Sequence, residues 1–319
     1  MPGEASLRVE HELFVRSFFT DRPPPRLVSQ LAARMRDAHY TRGQAIYARG
    51  GRAGTVYFIV DGEVHLEASG TDPWVFDAGA MIGINDAVLD QPHARTARAM
   101  RATHVVTVEY EDYIDILEDN FEYAKGTLER GMGRIHQLSR ELGPAGVFSP
   151  RDLGAPDPLP LTPGQALSEL ERILVLRQVP ALSDAPVQPL VTLAAGAEVH
   201  HFAPDQAIVA AGAPPERVWV VAAGRVRVSD PSVQIHAHFE PGSILGAQVA
   251  LSAEPWLYAT EASTQATLLS FSREDLFDVM EDHFRLGRCL FRWMARENGR
   301  ARDALADRTH NSSDGVRVA

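Results

Sequence analysis

The chain has 319 residues, enough for two domains at about 100–200 residues each. Apolar residues make up 45% and charged residues 23%, which excludes disorder over the full length. A net charge of −11 excludes a general affinity for nucleic acid or anionic membrane, and the single cysteine, Cys289, excludes a disulfide framework and any multi-cysteine zinc site.

The N-terminus mixes charges of both signs and has no apolar core of a secretory signal. The longest apolar run, Val218 to Ala223, is too short to span a bilayer. A cytoplasmic protein is expected. After the break at Pro23-Pro24-Pro25, the spacing of Leu27, Leu31 and Met35 predicts a helix. Val56-Tyr57-Phe58-Ile59-Val60 then reads as a strand buried on both faces, and Asp61-Gly62 as a hairpin turn. Glu63-Val64-His65-Leu66 alternates as a half-buried strand does. Glu109, Glu111, Asp112, Asp115, Glu118 and Asp119 form an acidic patch, read as a solvated face with a docking surface for a basic partner as the alternative.

Beyond the patch, Phe121, Ala124, Leu128, Met132, Ile135, Leu138 and Leu142 step by three and four residues in a heptad-like seam. This seam is the expected dimer interface. Packing on the second half of the same chain is the alternative. Gly126, Gly131 and Gly133 weaken this helix by about 1 kcal/mol each, so it needs a packing partner. The stretch 143–163 is rich in Pro and Gly and reads as a linker. Leu167 to Leu176 predicts a helix, and Phe284 to Leu305 another, with a flexible tail over 308–319.

The pattern occurs twice. Gln44-Ala45-Ile46 recurs as Gln206-Ala207-Ile208, and Gly50, Val56, Gly62 and Val64 recur as Gly212, Val218, Gly224 and Val226. One residue further out of step, Phe76, Gly79, Gly83, Asp112 and Phe121 fall on Phe239, Gly242, Gly246, Asp275 and Phe284. A collinear set of this length means one fold used twice. Short strands with glycine turns at this spacing suggest a sandwich or jelly roll. The expected domains are 1–142 and 164–307.

The repeat resembles the cyclic nucleotide-binding domain, in its glycine punctuation and in the lead-in Leu170-Glu171-Arg172-Ile173-Leu174 of the second copy. The resemblance implies mainly β structure: two jelly rolls in tandem, each with flanking helices. In that family a glycine opens a phosphate-binding cassette. A glutamate directly after it takes the ribose hydroxyl, and an arginine about nine residues later pairs with the cyclic phosphate, since a buried anion needs a charge-assisted partner. Here Gly83 is followed by Ile84 and Asn85, with His93 at the arginine position. Gly246 is followed by Ala247 and Gln248, with Trp256 at that position.

Three readings follow. In the first, the pockets have lost their ligand and the barrels are regulatory or scaffolding modules that contact a protein partner. In the second, a rebuilt pocket in copy one binds a cyclic nucleotide or other small anion. There His93 and Arg95, flanking Ala94, would share the anion if they lie on a strand. In copy two, Trp256 plugs the pocket, or a planar ligand stacks on it. Ordinary cyclic AMP binding is the third. The first is preferred.

A metal site at His236-Ala237-His238 lacks the acid and further histidine that a cupin-type site needs, and His200-His201 point apart on a strand. No cofactor is expected. No nucleophile elbow, phosphate loop or HExxH motif occurs, so no enzyme is expected. Cys289 reads as a core residue. Only one helix follows copy two, which leaves no helix-turn-helix for DNA. Its arginines, Arg285 to Arg302, read as a solvated face balancing acids such as Glu297.

Overall fold

A computed structural model describes residues 4–18, 23–142, 159–230 and 235–314. Contacts divide the chain into two units. The first runs to Ala124 and takes in the chain from Arg302 onward, and the second is Lys125–Ala301.

The first unit opens with α1 (Glu4–Phe18) and α2 (Pro25–Ala32). Pro25 stands in the first turn of α2, where a missing N–H costs nothing, and Leu27, Val28 and Leu31 are fully buried. Eight strands follow: β1 (Arg36–Tyr40), β2 (Ala45–Tyr47), β3 (Thr55–Asp61), β4 (Glu63–Glu67), β5 (Trp74–Asp77), β6 (Met81–Ile82), β7 (Thr96–Ala99) and β8 (Thr103–Glu109). The short α3 (Ile84–Val88) sits between β6 and β7, and α4 (Tyr110–Asp119) follows β8. The strands form two four-stranded sheets, ordered β1-β8-β3-β6 and β2-β7-β4-β5. Val56, Phe58 and Ile59 of β3 are fully buried, as their apolar run predicts. Along β4 the alternation is also met, with Val64 and Leu66 inside and Glu63 and His65 half-buried.

The sequence pattern did not single out α1, because its charges break any clean apolar stripe. It is held both by apolar packing, with Val15 fully buried and Phe14 and Phe18 against Phe58, and by a polar contact. His11 Nε2 lies 2.7 Å from one carboxylate oxygen of Asp37 on β1, and His104 Nε2 on β8 lies 2.6 Å from the other. The His104 ring stacks on His39 at 4.3 Å.

The second unit repeats the plan. After α5 (Phe121–Leu142), α6 (Glu169–Gln178) and α7 (Val187–Gly196) come β9 (Glu198–Phe202), β10 (Ala207–Val209), β11 (Arg217–Ala223), β12 (Val226–Asp230), β13 (Ile235–Phe239) and β14 (Ile244–Leu245). Then follow α8 (Ala247–Ser252), β15 (Ala259–Ala262), β16 (Ala266–Ser272), α9 (Arg273–Asp282) and α10 (Phe284–Asp314). The sheets are β14-β11-β16-β9 and β10-β15-β12-β13, so each unit is a jelly roll with flanking helices. Reciprocal capping boxes open α6 at Ser168 with Glu171 and α9 at Ser272 with Asp275.

Two boundaries differ from the sequence reading. The last helix continues past residue 308 to Asp314. Helix α5 belongs, from Lys125 on, to the second unit. The reason is its seam. Ala124, Leu128 and Met132 are fully buried, Ile135, Leu138 and Leu142 nearly so, and Phe121 is half-buried. Gly131 lets α10 come close: a Cβ there would meet Met294 Sδ at 2.2 Å. Arg273 also pairs with Glu129 of α5. The face expected to pair two chains is thus covered within one chain. The expected linker falls mostly outside the described residues.

The Asp37 cluster has a readable pH signature. Burial opposes ionisation, but hydrogen bonds from His104 and His11 hold the carboxyl below its ordinary value of 3.8. A carboxylate held low in the fold adds stability above its unfolded pKa and loses it as pH falls through the folded one. Asp37→Asn is therefore expected to be less stable than the parent at pH 7. The gap should close as pH drops below 3.8, measured by denaturant unfolding across pH.

Candidate functional site

In the first unit β6 ends at Gly83, which turns the chain into α3 with a φ of +82°. A Cβ here would meet the Thr55 carbonyl oxygen at 2.7 Å, so both the backbone angle and the neighbouring strand require glycine. In the second unit Gly246 makes the same turn into α8 at +75°.

Backbone bonds show which residues are equivalent beyond the helix. Gly50 N–H donates to the His93 carbonyl at 2.8 Å, and His93 N–H donates to Gly51 at 2.9 Å. In the second unit Gly212 N–H donates to the Trp256 carbonyl at 2.8 Å, and Trp256 N–H donates to Ala213 at 3.0 Å. His93 and Trp256 occupy the same place in the two barrels, as the sequence register has it.

What fills that place differs. His93 is 3% exposed, stacks on Tyr47 at 3.7 Å, and sets Nδ1 3.1 Å from Asp86 Oδ2. Burial pushes the Tyr47 phenol well above its usual value, and the Asp86 charge adds to the shift. Arg95 is also buried, with Nη2 2.6 Å from Asp303 Oδ1 of α10. Its Nη1 lies 3.4 Å from the Leu66 carbonyl and from Thr71 Oγ1, and its guanidinium lies 4.3 Å from the Trp74 ring centre. Arg302 lies 4.7 Å from the Phe76 ring centre. Arg95 and His93 face separate carboxylates rather than one common place: Arg95 pairs with Asp303, and the His93 ring lies against Asp86. The two are not on a strand either, because β7 begins at Thr96. Ile84 and Asn85 are half-buried and Ala94 is exposed.

In the second unit the Trp256 ring lies on Gly246: a Cβ on that glycine would meet Trp256 Cζ2 at 2.3 Å. The indole covers the floor of the turn. Ala247 is buried, and Gln248 Nε2 donates to Ser139 Oγ of α5 at 3.2 Å. Beside the indole remains a cavity of about 140 Å³, lined by Trp256, Trp293, His136, Thr260 and Glu297 among others, with no Lys or Arg among its lining residues. His136 is 3% exposed and Thr260 1%, and His136 Nδ1 and Thr260 Oγ1 have no hydrogen-bond partner. Burial pushes the His136 imidazole below its ordinary value and Arg140 adds to this, against Glu254. Glu297 is nine-tenths buried, and burial pushes its carboxyl up against the pull of Arg300 and Arg296.

Sequence reasoning missed this group. His136 lay within an apolar seam, and Glu297 was read as part of a solvated face. One signal was present: Glu297 follows Leu290 and Trp293 at helical spacing, on the buried face of α10. Elsewhere, His200 Nε2 is 2.8 Å from Ser270 Oγ and His201 Nδ1 is 3.2 Å from Thr267 Oγ1. His238 is exposed, and the His236 side chain lies outside the described residues. No group of three or more metal-suited side chains occurs among the described residues. Cys289 is buried and its thiol is pushed up by that burial. Among the described residues no helix is long and apolar enough to cross a membrane.

The profile of the cyclic nucleotide-binding domain matches residues 38–120 and again 199–283, together more than half of the chain. The chain belongs to the cyclic nucleotide-binding domain family. Both matches fall on the two jelly rolls, so the domain occurs in tandem. A mutant regulatory subunit of a cAMP-independent protein kinase A from Trypanosoma brucei is similar, at 16% identity, covering 86% of each chain, with a TM-score of 0.32. The regulatory domain of Toxoplasma gondii PKA, crystallised with cAMP, is 13% identical over 89% of this chain and 97% of that one, with a TM-score of 0.34. The N-terminal domain of a transcriptional regulator from Streptomyces coelicolor A3(2) is 22% identical over 44% of this chain and 95% of that one, with a TM-score of 0.34. Comparison with curated proteins finds no match.

Two stability effects follow for this chain of two cyclic nucleotide-binding-type domains. Gly212 and Gly246 share a positive φ, but a Cβ meets nothing at Gly212. Gly246→Ala is expected to cost about 1–3 kcal/mol more than Gly212→Ala, the usual range for overpacking, in denaturant unfolding. Arg95→Ala should cost about 2–3 kcal/mol, from lost charge-assisted bonds and the contact with Trp74. Asp303→Asn should cost less, because Asp303 is 54% exposed.

Proposed function

We propose that this chain is a non-enzymatic regulatory protein that acts through contacts with a protein partner, with both nucleotide cassettes closed by its own side chains. One observation carries the reading. In the first cassette the buried Arg95 is already matched by Asp303, and the buried His93 ring lies against Asp86. A cyclic phosphate entering there would have to displace one carboxylate and lie against the other. In the second cassette the place of the phosphate-binding arginine holds Trp256, whose ring lies on Gly246. A buried phosphate without a cation carries a desolvation cost of several kcal/mol, which removes ordinary affinity. The family's barrels are regulatory elements, and the glycine turns and helices that build them are intact here.

Calorimetric titration with cyclic AMP and cyclic GMP is expected to show no saturable binding up to about 1 mM, where even a millimolar Kd corresponds to only about −4 kcal/mol. A bait of the full chain is expected to hold its partner protein equally well with and without saturating cyclic AMP. Micromolar binding of either nucleotide, or a partner released or recruited by it, overturns the reading.

A further inference from the structure

The cavity in the second unit has a chemistry opposite to that of a phosphate site. No Lys or Arg lines it, whereas a carboxyl, Glu297, does. Two buried atoms, His136 Nδ1 and Thr260 Oγ1, have no partner in the protein. Such atoms are uncommon in folded chains and call for an explanation, of which an unseen bound group is one. Thr260 Oγ1 is an acceptor, and so is His136 Nδ1 when Nε2 carries the proton. Burial disfavours the charged imidazolium of His136. The remaining walls include the indoles of Trp256 and Trp293, whose ring faces attract positive charge. At about 140 Å³ the space is near the ~150 Å³ known to admit a benzene-sized ring.

We infer that this cavity binds a small organic cation: an ammonium or amidinium group on a single aromatic ring. The N–H donors meet Glu297 and the free acceptors of His136 and Thr260, and the ring lies among the apolar walls. Burial pushes the Glu297 carboxyl up against the pull of Arg300 and Arg296, and a bound cation further favours its ionised form. The cavity lies in the second cassette, beside the place that Trp256 fills; the function proposed above needs no ligand there, so failure here leaves that reading standing.

The test is calorimetric titration of the full chain with benzamidine and with benzoate, which share a shape and differ in charge. Saturable binding of benzamidine, with none of benzoate at the same concentration, is expected. Glu297→Gln, nearly the same in shape, should weaken benzamidine binding at least about tenfold, as loss of a charged hydrogen-bond partner does. Thr260→Val should weaken it by a smaller factor, about threefold to tenfold. Absence of saturable benzamidine binding, benzoate binding as tightly, or an unchanged affinity in Glu297→Gln overturns the inference. If Glu297→Gln does not fold, Thr260→Val decides: weakened binding supports the site and unchanged binding overturns it.

Discussion

A charge taken out of water must be matched, and in this protein that requirement decides what each barrel can hold. Arg95 is buried in the first unit and meets Asp303 at 2.6 Å. His93 is buried two residues earlier and faces Asp86. A guanidinium buried without such a partner would carry a large desolvation cost. In the second unit an indole lies over Gly246, with a cavity beside it whose walls include Glu297, His136 and Tyr258.

These contrasts are built on one backbone. The paired bonds at Gly50 with His93 and at Gly212 with Trp256 repeat the same main-chain pattern in the two cassettes. Main-chain geometry depends on glycine at left-handed turns and on strand register, and both copies keep these. Side chains at the equivalent positions have no such duty, so one barrel carries imidazole and the other indole.

Much of the fold was legible because it rests on local rules. The run Val56 to Val60, the turn at Asp61-Gly62 and the alternation after it each report a period or a backbone preference within a few residues. The offset between copies placed His93 and Trp256 at equivalent positions without coordinates. Helix α1 escaped, because charges interrupt its apolar face, although Val15, Phe14 and Phe18 pack inward and His11 reaches Asp37. The α5 seam was visible as a buried face, but not what buries it. A heptad-like pattern reads the same whether the partner helix comes from another chain or from α10, and Met294 against Gly131 is a contact between residues far apart in sequence.

The candidate site divides in the same way. By itself the sequence determined that two jelly rolls follow one another, that each turns at a glycine into a short helix, and that neither keeps an arginine at the expected place. Those are properties of composition, spacing and repetition along the chain. Only the tertiary structure decided that Arg95 is matched by Asp303, and that His136, Thr260, Trp293 and Glu297 share one cavity. The reason is physical. A charge's partner and a cavity's walls are set by which distant segments pack together, and packing is a property of the folded whole that no local pattern records.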